Sequence, residues 1–352
     1  MRPGFLLDPE VAYFNHGSYG ACPVDVFEEY QRLQRELEAG PTEFFTRRFE
    51  ESMWTARSAL ASFVGAQAPD VVFTPNATAA LNAVVRSLRI RAEEEILTTK
   101  HEYGAILRTL GFIRANVVLV EPEDLIASIG IRTRAIVVSH VTSLTALVLP
   151  VEEICAAARK AGVLSVVDGA HVPGHIRLDL GALDPDVYAG NCHKWLCAPK
   201  GSGFLWARPE HQGWIEPLVV SWGYHEDASF GERHGWQGTR DPSAYLAVPK
   251  AIEAWGRFDL DAAKELADES EHRLAPFGLR PLRGVRSPFM RAFTVRTSDP
   301  AELWRRLYAE HRVEVPVYEW EDTTLMRVSV GPYNDAHDLE RLATAVRDTL
   351  AG

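Results

Sequence analysis

What most constrains this chain is a series of short, mostly apolar runs separated by helical stretches. Apolar runs at 71–73, 96–98, 117–120, 135–139, 163–167 and 187–190 are too short for helices and read as buried strands. Between several of them lie amphipathic stretches, at 78–88, 104–114 and 151–161, the last closed by Gly162. Buried strands that alternate with helices predict a parallel sheet with helices on both faces. Two helices are expected ahead of this region. One covers 24–39, with Val24, Phe27, Tyr30, Leu33 and Leu37 on one face and Gly40-Pro41 as its stop; the other covers 43–64 and ends near Gly65. The last 75 residues or so read differently: strand 289–295, helix 300–311, strands 313–317 and 326–330, helix 335–350. That order predicts a small α+β unit with an antiparallel sheet, joined to the rest through a mostly helical stretch at 242–275.

Composition removes several classes of function. The chain has 352 residues, with 37 Lys+Arg against 48 Asp+Glu, a formal charge of −11. That balance argues against nonspecific nucleic-acid binding, which needs clustered basic residues. With 46% hydrophobic and 24% charged residues the chain reads as an ordinary globular protein. Cys22, Cys155, Cys192 and Cys197 are too scattered for a disulfide scaffold, and none is spaced for zinc. No metal is expected. The N-terminal residues lack the apolar core of a signal peptide, and no apolar run approaches the ~18 residues of a membrane span. A reducing cytoplasm is the expected compartment.

In an open α/β sheet, ligands bind beyond the carboxyl ends of the strands. After 71–73 comes Thr74-Pro75-Asn76-Ala77-Thr78, which opens a helix. Its free N–H groups and the Thr78 hydroxyl can hold an anion, though taken alone the turn reads first as a helix cap. After 163–167 comes Asp168-Gly169-Ala170-His171, a carboxylate at the end of a buried strand. After 187–190 comes Asn191-Cys192-His193-Lys194-Trp195, where a buried lysine would lose its proton and become a nucleophile. Lys200, in a Pro/Gly/Ser loop, is the competing lysine. Together an anion cradle, an aspartate and a lysine describe a ligand with a phosphate, a basic ring nitrogen and an aldehyde. Pyridoxal phosphate (PLP) has all three.

The chain resembles the class V aminotransferases, fold-type I PLP-dependent enzymes, and within them the isopenicillin N epimerase-like branch that also holds hercynylcysteine sulfoxide lyases. The strings that carry the resemblance include Asn15–Gly20, Asn76–Thr78, His101-Glu102-Tyr103-Gly104, Asp168–His171, His193-Lys194-Trp195, Gly238-Thr239-Arg240 and Arg327-Val328-Ser329. The resemblance implies a large domain at 21–260, with a mostly parallel, seven-stranded-type sheet. It implies a small C-terminal α+β domain at 261–352 and an N-terminal segment, 1–20, that belongs to the substrate site. It also implies the residue roles. Lys194 would bind the cofactor covalently and shuttle a proton, and Asp168 would hold the ring nitrogen protonated. His171, with Thr142 or Ser143, would lie near the phenolic oxygen. Asn76, Ala77, Thr78, Asn191 and His193 would bind phosphate, and His101 or Tyr103 would stack on the ring. Thr239 would reach the phosphate bound by a second subunit of a homodimer whose sites are shared across the interface. Arg327 and Asn15 would hold the substrate carboxylate, and Tyr103 and Tyr19 are candidate proton donors.

The implied activity is on Cα and Cβ of an amino-acid substrate, as an epimerase or a C–S lyase. An aminotransferase, or a cofactor-binding protein without turnover, is the alternative. A persulfide-forming desulfurase is disfavoured, because residues 240–352 contain no cysteine. Trp222, Tyr224, His225, His234 and Trp236 would line either a substrate pocket or an interface, the second reading being preferred.

Overall fold

The computed structural model describes residues 4–351. Its centre is a seven-stranded sheet made of β1 (Val71–Thr74), β2 (Glu95–Thr99), β3 (Asn116–Val120), β4 (Thr133–Ser139), β5 (Leu164–Gly169), β6 (Val187–Asn191) and β7 (Gly203–Ala207). The spatial order is β1-β7-β6-β5-β4-β2-β3, and only β7 runs antiparallel to its neighbours. Side chains alternate between the two faces. Val71 and Phe73 join one apolar cluster with helix Phe49–Phe63, while Val72 joins another with helices Ala77–Ser87 and Gly104–Phe112. Both faces are covered, which is why the inner strands read as continuous apolar runs.

A second sheet contains β8 (Arg280–Pro281), β9 (Met290–Val295), β10 (Val317–Trp320) and β11 (Thr323–Ser329), all antiparallel, in the order β10-β11-β9-β8. Helices Pro300–His311 and Ala336–Ala351 belong to this part of the chain. This is the expected α/β architecture with a small α+β unit.

Three local expectations change. The helix expected at 43–64 is broken by a π-helical turn, Phe44–Arg48, before Phe49–Phe63. The wider turn brings Phe45 and Phe49 both against Trp236, with ring centroids 5.6 and 5.2 Å away. The strand expected at 313–317 is two strands. Val313–Glu314 pairs with Ala12–Tyr13, and after Pro316, which has no N–H to donate, the chain enters β10 in the other sheet. Strand β7 follows a Pro-Lys-Gly-Ser turn and was not expected. All five of its residues are buried between β1 and β6.

Candidate active site

The carboxyl ends of β1, β2, β4, β5 and β6 converge on one cavity of about 180 Å³. Lys194, His193 and Asn191 come from the end of β6. Asp168, Ala170 and His171 come from β5, and Asn76 and Thr78 follow β1. Ser139, Val141 and Ser143 lie at the end of β4, Tyr103 follows β2, and Ser18 comes from the N-terminal segment.

The amine of Lys194 gives up its proton near neutrality rather than in strong base. Burial pushes its pKa down to about 7, Arg327 adds to the fall, and Asp168 opposes it. The hydrogen bonds agree. Trp195 Nε1–H donates to His171 Nδ1 at 3.4 Å, so the proton of a neutral His171 sits on Nε2. His171 Nε2 lies 3.0 Å from Lys194 Nζ, which must then accept through its lone pair. Burial, followed by Lys194, keeps the His171 pKa far below the usual imidazole value. Trp195 is held in turn by stacking on His175, centroids 4.3 Å apart. Both nitrogens of His175 are used, Nδ1 on the His171 carbonyl and Nε2 accepting from Phe289 N–H.

Asp168 is 4% exposed, and its Oδ1 accepts the Ala170 N–H at 2.8 Å. Desolvation raises its pKa, against the pull of that hydrogen bond and of Lys194. Here the strands approach tightly. A Cβ on Gly169 would lie 2.1 Å from the Tyr188 ring, so only glycine fits.

At the other side of the cavity Asn76 caps helix Ala77–Ser87 by accepting the Ala79 N–H at 2.8 Å. Asn191 Oδ1 accepts the Ala77 N–H at 2.8 Å and so ties β6 to the same turn. The Thr78 N–H and hydroxyl have no protein partner among the described residues. They are left for an anion at the positive end of the helix. His193 Nδ1–H is committed to the Ser202 carbonyl at 3.0 Å. Burial lowers its pKa to about 4, so it can donate to an anion through Nε2 only as the imidazolium.

Arg327, on β11, stands behind the cavity wall and is tied to two residues that line it. Its guanidinium donates to the Ser143 carbonyl at 2.5 Å and to Ser18 Oγ at 2.6 Å. The N-terminal segment is wedged between the two sheets: His16 bonds the Lys194 carbonyl and the Tyr333 hydroxyl, both at 3.1 Å. Gly20, at φ +68°, lies so close that a Cβ would sit 2.0 Å from the His193 carbonyl oxygen. Gly20→Ala is therefore expected to lower stability by at least about 1–3 kcal/mol, the cost of a strained backbone alone. A drop in thermal unfolding midpoint, with weakened cofactor retention, checks this.

Not every residue expected at the site lies on the cavity wall. His101 faces Thr145, at 2.8 Å, and Trp320, whereas Tyr103 lines the cavity. Thr142 is spent on Thr145 and Leu147, and Ser143 is the member of that pair on the wall. Asn15 is buried on Glu314 at 3.1 Å, while Tyr19 is 63% exposed and Thr239 is exposed. Lys200 bonds the Gly20 carbonyl outside the cavity. Ser18 and Ser139 are on the wall and had no assigned role; their only sequence signals were the Asn15–Gly20 string and a strand terminus. None of the four cysteines lines the cavity; Cys155, Cys192 and Cys197 are buried, and desolvation raises all four thiol pKa values.

Residues 22–342 match the family model described as aminotransferase class-V. An isopenicillin N epimerase of Amycolatopsis lactamdurans is 37% identical over 99% of this chain and 97% of its own length. A putative L-cysteine desulfhydrase of Oryza sativa subsp. japonica is 27% identical over 97% of this chain and 83% of its own. Among solved structures, a C-DES variant with glycine covalently linked to its PLP cofactor superposes with a TM-score of 0.85 at 22% identity, covering 99% of both chains.

Proposed function

Since the chain belongs to the aminotransferase class-V family, we propose that it is a PLP-dependent enzyme acting at Cα and Cβ of an amino acid, as an epimerase or a C–S lyase. The observation that carries this reading is the buried Lys194 amine, its pKa lowered to about 7, in one cavity with the buried Asp168 carboxyl and an unclaimed helix N-terminus at Thr78.

These residues fit the cofactor. Thr78 offers an N–H and a hydroxyl without protein partners to the phosphate, with Asn76, Asn191 and His193 around it, whereas Ala77 is off the cavity wall with its N–H taken by Asn191. Asp168 offers a carboxylate to the ring nitrogen, His171 a neutral imidazole to the phenolic oxygen, and Tyr103 a ring to the aromatic face. Bound there, the cofactor supplies an electron sink that makes a substrate Cα–H acidic. Lys194, which is partly free amine at neutral pH, would hold the cofactor through its aldehyde and would be the base for the Cα proton. Arg327 already orients a planar fork toward Ser18 and Ser143, and the substrate carboxylate takes up that fork. Epimerisation needs a second proton donor across the ring, and β-elimination needs an acid at the leaving group. The Tyr103 hydroxyl is our candidate for either.

Incubation of the holoenzyme with L-amino acids and S-substituted cysteines in D2O tests the reading. Deuterium at Cα with inversion identifies an epimerase, and a keto acid with ammonia identifies a lyase. No exchange and no product across the panel would sink both. Sulfur transfer to an enzyme thiol is not part of the proposal, because no cysteine faces the cavity.

We further propose a homodimer. Val219, Val220 and Trp222, 49, 65 and 91% exposed, form an apolar strip in the segment that leads to Thr239. Trp222→Asp is expected to yield a monomer by light scattering and to weaken cofactor retention, since a central aromatic anchor is worth about 2 kcal/mol or more at an interface. An unchanged dimer would refute this placement.

A further inference from the structure

Glu102 is a second carboxyl behind the site. It is 3% exposed and follows β2, one residue before Tyr103. Its Oε1 accepts two hydrogen bonds, from Ser139 Oγ and from the Tyr103 backbone N–H, both at 2.7 Å. Its Oε2 is buried without a hydrogen-bond partner among the described residues. Ser139 is in register with Asp168 across β4 and β5, so the two carboxyls share one side of the sheet end.

We propose that Glu102 is a positioning residue of the site, held as a neutral carboxylic acid that fixes Tyr103 and Ser139 in the cavity wall and leaves Asp168 as the one negative charge beneath it.

The geometry argues for neutrality. The Ser139 and Tyr103 donors favour an anion, but the two bonds both fall on one oxygen and the other has no donor among the described residues. An anionic Oε2 stranded in the interior costs far more than a hydroxyl there. The groups around it offer no compensating cation. Asp168 faces it from β5 and is the charge it feels most. Beyond Asp168 stand Lys194, whose own charge is suppressed, and Tyr188 on β6, whose hydroxyl bonds His140. His101, on its own segment, is turned to Thr145 and Glu121. Burial first, then Asp168, pushes the Glu102 pKa up to about 8.

Two consequences follow. Tyr103 owes its backbone position to this carboxyl, so Glu102 acts on the proposed reaction through Tyr103 and Asp168 without touching substrate. It also ties stability to pH. A carboxyl whose folded pKa is raised contributes stability that is fully present below its unfolded value of 4.5 and is lost as pH rises through about 8.

Glu102→Gln tests this, because an amide keeps the Oε1 acceptor and the size of the neutral acid. In the full-length protein, the stability of the wild type relative to Glu102→Gln is expected to decline steadily as pH rises from 4.5 to about 8. Parallel unfolding midpoints across that range, or a wild type that gains on the variant as pH rises, overturn the proposal. Should Glu102→Gln not fold, wild-type protein carrying ¹³C-carboxyl glutamate answers the same question. One glutamate resonance must stay in the protonated position at neutral pH, and its absence overturns the proposal. The role in turnover rests on the cofactor reading. The charge state does not, so an inactive protein with the expected pH dependence would refute only that reading.

Discussion

Lys194→Ala is expected to abolish covalent cofactor attachment and to lower turnover by at least about 10⁴-fold. That is the upper end for a positioned acid–base group, and here the same residue is also the nucleophile. Borohydride treatment followed by mass spectrometry should fix the cofactor to residue 194 in the wild type and to nothing in the variant. Transfer of the label to Lys200 would overturn the assignment. The fold should survive. The pKa of Lys194 is pushed down to about 7, mainly by burial, from its ordinary 10.5. Between these values the unfolded chain binds more protons than the native one, so the wild type gains stability as pH rises. The burden of burying the ammonium is greatest below pH 7. Without cofactor, the alanine variant should therefore be the more stable protein in acid, and the wild type should close the gap toward pH 10.5.

Asp168→Asn carries the second large effect. The amide can still accept the Ala170 N–H, so the turn after β5 should keep its shape. What disappears is the charge that favours a protonated ring nitrogen. A loss on the order of 10²–10³ in kcat is expected, the size found for one preorganised electrostatic group. Asp168 also supports the charged form of Lys194 and raises the pKa of Glu102. Removing it should move the titration of both groups toward acid. A kcat profile shifted toward acid is the corroborating sign. An unchanged profile with unchanged kcat would mean that Asp168 only completes the sheet end.

Much of this site was legible in the sequence because strand ends are. Lys194, Asp168 and Asn76–Thr78 each follow a short apolar run, and a parallel sheet brings such positions together whatever the details of packing. Where the chain leaves the strands, neighbouring residues could not be separated. In 142–147 the backbone turns through a left-handed Ala146 (φ 57°), and that turn decides that Thr142 faces inward and Ser143 the cavity. After β2 the Glu102 carboxyl takes the Tyr103 N–H, and Tyr103 enters the cavity wall while His101 packs on Trp320. Neither outcome has a periodicity to betray it. Strand β7 escaped because its apolar run follows a Gly-Ser turn that reads as loop. The pairing of Arg327 with Ser18 joins residues 309 positions apart, a distance local pattern cannot span.

That last contact also orders events at the ribosome. Synthesis runs from Ser18 toward Arg327, so a nascent chain holds the lysine, the aspartate and the helix that would receive phosphate well before β11 exists. The guanidinium that would grip a substrate is the last part to emerge. A chain cut short before β11 would keep the groups proposed to hold the cofactor and lack the means to choose what reacts with it. Among the pieces of the site, substrate selection alone waits for β11.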